Sequence, residues 1–239
     1  MLLKDNQIFS LFLLFTRGSY GTSFSVRGLP VHKVPLENDK DLSVFGFAAS
    51  SILDLRTEDN FLATQVWPSA RVAAMAILEH ADPTWDIMEL GCGPGLPSLA
   101  AATKGCQVVA TDLDRLALKL VEAAANEQNL EVETQQFDLV FNRIDKSLLE
   151  RLDLIVLSDV FESEAVAKGA ARLTKQCLEE GLRVWVFAQS DRAQRELYIA
   201  ALQKQSIMSS QSFSFSKSGY DPSHQLWLCD IDETKVQYG

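Results

Sequence analysis

The sequence predicts an α/β fold: a doubly wound, mostly parallel seven-stranded sheet with helices on both faces. Two observations carry this. From residue 86 onward, short apolar runs alternate with segments of helical periodicity, the pattern of parallel strands joined by crossover helices. The run Leu154-Ile155-Val156-Leu157 is also continuously apolar, as expected of a strand covered on both faces.

The elements follow in order. Pro68 suits the first turn of a helix, and Val72, Met75, Ala76 and Glu79 continue it at helical spacing to Asp82-Pro83. A strand over 86–90 leads through a glycine-rich turn into a helix over 97–104, stopped by Gly105. A strand over 107–111 ends at Asp112, and a helix over 114–128 places Leu116, Leu120 and Ala123 on one face. Strands are expected over 131–135 and 152–157. Ser163 then caps a helix carrying Val166, Ala170, Leu173 and Cys177. Gly181 precedes a strand over 184–188, and Asp191 is placed to cap a helix containing Leu197, Ala200 and Ala201. Strands near 210–216 and 225–230 complete the seven. Upstream, apolar clusters between Asp41 and Phe61 suggest a hairpin or strand-rich cap.

The chain has 239 residues and a formal net charge of −10, which argues against general nucleic-acid binding by phosphate neutralisation. Cys92, Cys106, Cys177 and Cys229 form no CxxC, so neither a zinc ribbon nor a disulfide scaffold is indicated. His32, His80 and His224 show no metal-ligand spacing. No stretch reaches the ~20 apolar residues of a transmembrane helix. Residues 1–36 read as an N-terminal extension: Lys4, Arg17, Arg27 and Lys33 stand against Asp5 alone, among several serines and threonines. This matches an organelle transit peptide, for a mitochondrion or plastid. A secretory signal, or a plain extension of a cytoplasmic protein, are the alternatives. Residues 37–239 read as one domain, with a cap over 37–64 and the α/β core over 65–239.

The chemistry concentrates at the strand ends. Glu89-Leu90-Gly91-Cys92-Gly93-Pro94-Gly95 leaves the first parallel strand and enters a helix. Its glycines permit a tight turn and close approach of a ligand to backbone N–H groups. Asp112 ends the next strand, where a carboxylate accepts hydrogen bonds from ribose hydroxyls. Together they indicate a nucleoside-containing cofactor. Glu89 ahead of the turn disfavours a phosphate there and favours a cationic or zwitterionic ligand.

The segment from Glu89 to Gly95 resembles motif I of the class I S-adenosylmethionine-dependent methyltransferases, whose fold is Rossmann-like. The resemblance implies S-adenosyl-L-methionine as cofactor and Asp112, with Leu113 beside it, as the ribose end of its site. It places Phe137 and Asp138 at the adenine, although a turn-capping role for Asp138 is open. Gln65-Val66-Trp67-Pro68 resembles the Val-Trp-Pro segment of the protein-lysine methyltransferase-like group, which sets Trp67 beside the cofactor; a core tryptophan is the alternative. Ser158-Asp159-Val160-Phe161-Glu162 resembles that group's Asp-x-x-Tyr/Phe motif. Ser158 then lies at the cofactor and Asp159 is the catalytic candidate, holding an incoming amine. The aromatic position is Glu162 here, unless Phe161 supplies the ring. Gln189-Ser190-Asp191-Arg192 keeps only the arginine of an Asp-Pro-x-Arg element of some relatives.

The resemblance implies methyl transfer to a protein lysine, the partner being a protein substrate. A small basic molecule as acceptor, and a non-catalytic protein that retains the fold, are the rival readings. Such a transfer requires alignment and exclusion of water rather than a metal.

Overall fold

The computed structural model describes residues 31–35, 41–45, 61–203, 215–216 and 225–231. Within them the alternation of apolar and amphipathic segments resolves into nine strands and six α-helices. These are β1 (Val31–Pro35), β2 (Asp41–Phe45), a 3-10 turn (Phe61–Thr64), α1 (Pro68–His80), β3 (Asp86–Leu90), α2 (Leu96–Lys104), β4 (Gln107–Asp112), α3 (Arg115–Glu127), β5 (Glu133–Gln136), α4 (Lys146–Leu149), β6 (Leu154–Ser158), α5 (Glu164–Glu179), β7 (Arg183–Gln189), α6 (Arg195–Gln203), β8 (Phe215–Ser216) and β9 (Leu226–Ile231).

Seven strands form one sheet in the order β5-β4-β3-β6-β7-β9-β8. Every pairing described in it is parallel, with Met88 opposite Val109 on one side and Ile155 on the other. From β3 the chain winds outward through β4 and β5, then returns to lay β6 and β7 on the other side. The reversal opens a crevice at the carboxyl ends of β3 and β6, where ligands of open parallel sheets collect.

Strand alternation sends side chains to two cores. Ile87, Val108, Leu154, Val156, Trp185 and Trp227 pack against α1 through Ala73, Ala76 and Ile77. Met88, Leu90, Ile155, Leu157, Val184 and Val186 pack against α5 and α6. In α5 the expected face is used: Ala170, Leu173 and Cys177 are fully buried. A hairpin of β1 and β2 covers α1, α2 and α3 with Leu42, Val44 and Phe45. Gln128 fixes its position: Nε2 donates to Ser43 O and Oε1 accepts from Ser43 N, both at 2.7 Å.

Several boundaries differ from the sequence expectation, each for a local reason. The hairpin begins at residue 31, inside the segment read as an extension. β5 starts two residues late because Asn129 adopts a left-handed φ of 56° and Leu130 N still donates to Ala125 O. Leu152 lies in the turn that follows α4, its N donating to Leu148 O, so β6 starts at Leu154. Asp191 does not cap α6. A turn through Arg192 N to Gln189 O and Arg195 N to Arg192 O delays that helix to Arg195. Residues 1–30 of the expected targeting segment 1–36, residues 46–60 of the expected cap and residues 210–214 of the expected strand over 210–216 lie outside the described residues. Among those described, no helix is long and apolar enough to cross a membrane, and no group of His, Cys, Asp or Glu suits a metal ion.

Candidate functional site

The turn after β3 is built for close approach. Gly91, Gly93 and Gly95 all have positive φ. A Cβ on Gly91 would meet Val160 Cγ1 at 2.6 Å, so packing alone requires glycine there. Gly93 differs: the nearest atoms to such a Cβ are Ala63 O at 3.6 Å and Gln65 O at 3.9 Å. Its bare backbone faces a cavity of about 440 Å³ at the carboxyl ends of β3, β4 and β6. Gly95 lies behind, against Val121, and does not line that cavity.

Asp112 reaches the cavity from the end of β4. Its Oδ2 accepts from Gly93 N at 2.9 Å and its Oδ1 from Asp114 N at 2.8 Å, so the carboxylate braces the glycine turn and the entry to α3 together. Burial raises its pKa, against the lowering effect of those amides. Each oxygen keeps acceptor capacity for a hydroxyl. Leu113 is 57% exposed at the rim, unusual for its type and suited to covering a flat ligand.

Phe137 and Asp138 line the same wall. Phe137 is buried, with its N donating to Asp112 O at 2.9 Å. Asp138 takes the turn-capping role left open above: Oδ1 accepts from Val140 N at 2.7 Å and Phe141 N at 3.3 Å. Trp67 lines the cavity too, its Nε1 donating to Leu62 O at 3.1 Å.

The end of β6 departs most from expectation. Ser158 and Asp159 line the cavity, but Asp159 is not an open seat for an amine. Its side chain is 1% exposed and both oxygens are engaged by Arg192, from Nε at 2.8 Å and Nη2 at 2.7 Å. The same Nη2 donates to Gln189 Oε1 at 2.6 Å, and the guanidinium lies 4.8 Å from the centroid of the Trp67 ring. Asp159 has a left-handed φ of 59°. The pair thus ties the end of β6 to the turn after β7 and roofs Trp67. Phe161 is buried against Tyr198, ring centroids 5.2 Å apart, and lines the cavity as well. Glu162 stands exposed at the cavity rim.

Glu89 is also placed differently. It lies beneath the turn and outside the cavity lining, 1% exposed, with Oε2 accepting from Ser98 N at 3.0 Å and Ser98 Oγ at 2.5 Å. It thereby caps α2, whose Gly95 offers no side chain. Burial pushes its pKa up to about 8, and nearby Asp112 adds to this. At neutral pH the group is therefore largely protonated. The electrostatic preference inferred from its charge passes instead to Asp112, Asp138 and Glu162.

That displacement has a measurable consequence. The folded pKa lies above the unfolded one, so between about pH 4.5 and 8 the unfolded chain releases a proton that the folded chain keeps. Stability should fall with rising pH across this window, by up to about 1.4 kcal/mol per pH unit from this group. Glu89→Gln removes the titration and preserves an acceptor for Ser98. Urea denaturation of both proteins at pH 5 and pH 8 should show the gap between them shifting toward the variant. An equal pH dependence for the two would refute the assignment.

The cavity fits a cationic nucleoside cofactor on three observations. Gly93 presents bare backbone, Asp112 presents a hydroxyl acceptor between Leu113 and Phe137, and Gln65 Oε1 is buried at the lining without a partner among the described residues. The guanidinium of Arg192 is already neutralised by Asp159.

A profile of the family described as lysine methyltransferase matches residues 49–205. Among curated proteins, the chain is 28% identical over 115 residues to a ribosomal protein L11 methyltransferase of Caldicellulosiruptor saccharolyticus, covering 48% of this chain and 36% of that protein. It is 30% identical over 115 residues to the electron transfer flavoprotein beta subunit lysine methyltransferase of Danio rerio, covering 46% and 43%. The matched stretch is under half the length of either relative. Among solved structures, a TehB-like SAM-dependent methyltransferase from Corynebacterium glutamicum superposes with a TM-score of 0.44 at 22% identity, over 58% of this chain and 72% of that one.

Proposed function

Since the chain belongs to the lysine methyltransferase family, we propose that it transfers a methyl group from S-adenosyl-L-methionine to the side-chain amine of a protein lysine. The observation that carries the reading is the acid-lined cavity at the sheet's reversal point, with the glycine turn and Asp112 on one side and the end of β6 on the other. The two curated relatives support a protein acceptor, since both are named for a protein that they methylate.

When bound, the cofactor supplies a methyl group already activated on a sulfonium. The chain's own residues position and shield. Asp112 holds the ribose hydroxyls, and Leu113, Phe137 and Asp138 enclose the base. Gly93 lets the backbone approach, and Trp67 with Ser158 closes the inner wall. Asp159 acts by fixing Arg192 over Trp67, which makes it a positioning residue. An acceptor lysine has an unperturbed pKa of about 10.4 and must shed a proton before it attacks. A site walled by Trp67, Val160 and Leu139 favours its neutral form by desolvation.

Purified full-length protein should transfer label from methyl-labelled S-adenosylmethionine to protein in a cell extract, with the label on lysine Nζ by mass spectrometry. Label confined to small molecules would favour a basic metabolite as acceptor. No transfer to any fraction, with cofactor binding intact, would overturn the enzymatic reading.

A further inference from the structure

We propose that Glu162 is the group that recognises the acceptor, seating a cationic amine at the mouth of the cavity; this rests on the amine-acceptor reading above. The case begins with elimination among the acids that line the cavity. Asp159 has both oxygens on Arg192 and is neutralised by it. Asp112 and Asp138 brace the turns after β4 and β5 and face the nucleoside side. Asp191, like Arg192, lies in the turn after β7.

Glu162 remains. It lines the cavity on the side of β6, four residues past the strand. No other residue among those described donates a hydrogen bond or ion pair to its carboxylate. Its backbone is nevertheless held, because the next residue, Ser163, caps α5 by accepting from Val166 N at 3.2 Å. The position carries a carboxylate where the resembled motif carries an aromatic ring.

The surrounding charge supports the same conclusion. Desolvation at the rim, then the carboxylates of Asp112 and Asp159, raise the Glu162 pKa, with its own backbone N–H and Arg192 opposing them. A carboxylate held among other acids gains from an incoming cation, because the cation relieves their mutual repulsion. A neutral acceptor provides no such relief. The competing role is an exposed acid at a helix start, favoured by the dipole alone; that role predicts no effect on amine binding.

The test uses full-length protein saturated with S-adenosylhomocysteine and two probes, Nα-acetyl-lysine amide and its amine-free analogue Nα-acetyl-norleucine amide. Native protein should prefer the lysine probe. Glu162→Gln should weaken binding of that probe at least about tenfold, leave the norleucine probe unchanged and keep S-adenosylhomocysteine bound. A Gln variant that retains the native preference would overturn the Glu162 assignment while leaving the amine reading in place. A native protein with no preference would overturn both. If Glu162→Gln does not fold, Glu162→Asp decides: severalfold weaker binding of the lysine probe alone supports the seat, and unchanged binding refutes it.

Discussion

Arg192→Met should destabilise the protein by about 3 kcal/mol, and adding Asp159→Asn should restore most of that loss. The reason is asymmetric burial. The Asp159 side chain is 1% exposed and the Arg192 side chain 31%, so removing the arginine strands the buried partner rather than the exposed one. A buried carboxylate without its cation costs more than the pair contributes, and the partial exposure of Arg192 sets the expectation at the low end of the usual range. Methionine retains much of the stem but loses the contact with the Trp67 face and the bond to Gln189 Oε1. Asparagine suits the left-handed backbone of Asp159 and needs no counter-ion. Urea denaturation of the two single variants and the double would give the coupling energy. If the double variant were as unstable as Arg192→Met plus Asp159→Asn added together, the ion pair would have no special role. Cofactor affinity should fall in Arg192→Met, because the cover over Trp67 is lost.

The features legible in the sequence were those that depend on near neighbours. The glycine turn, Asp112 at a strand end and the Ser163 cap each follow from spacing within a few residues, and the structure keeps them in place. The parallel sheet was legible for the same reason, through alternation and the buried run of β6. The Asp159–Arg192 pair was not. Its members lie 33 residues apart and meet only because β7 pairs with β6. Glu89 shows a second limit. Its residue type announced a charge, but burial beside Ser98 turned it into a largely neutral cap. Asp138 shows a third, since a short acid after a strand serves a turn and a ligand wall equally well. Gly169 shows a fourth, since nothing in its own helix marks it and its constraint comes from the opposing segment at Leu139 and Val140.

Gly169→Ala should lower stability by about 2–3 kcal/mol and weaken S-adenosylhomocysteine binding, against the ordinary trend for helices. Inside a helix, replacing glycine by alanine normally stabilises by about 0.5–1 kcal/mol. Here a Cβ would lie 2.2 Å from Leu139 O, 2.8 Å from its carbonyl carbon and 3.1 Å from Val140 Cα, all backbone atoms. Such atoms cannot turn aside as a flexible side chain would, and the segment has little freedom to retreat. Arg172 Nη2 donates to Leu139 O at 3.0 Å, Val140 O at 3.3 Å and Asn142 O at 2.7 Å. Gln176 exchanges bonds with Ile144, its Nε2 donating to the carbonyl at 2.7 Å and its Oε1 accepting from the amide at 3.3 Å. Gly169, Arg172 and Gln176 share one face of α5, at spacings that bring them in line. That face clamps the loop whose first residues, Phe137 and Asp138, form the cavity wall. Pushing the loop off the helix therefore strains the clamp and moves the wall in one event. Melting temperature and calorimetric affinity measured on the same variant should fall together. A variant that gained stability and bound normally would mean that the loop yields without cost and that α5 does not set the shape of the site.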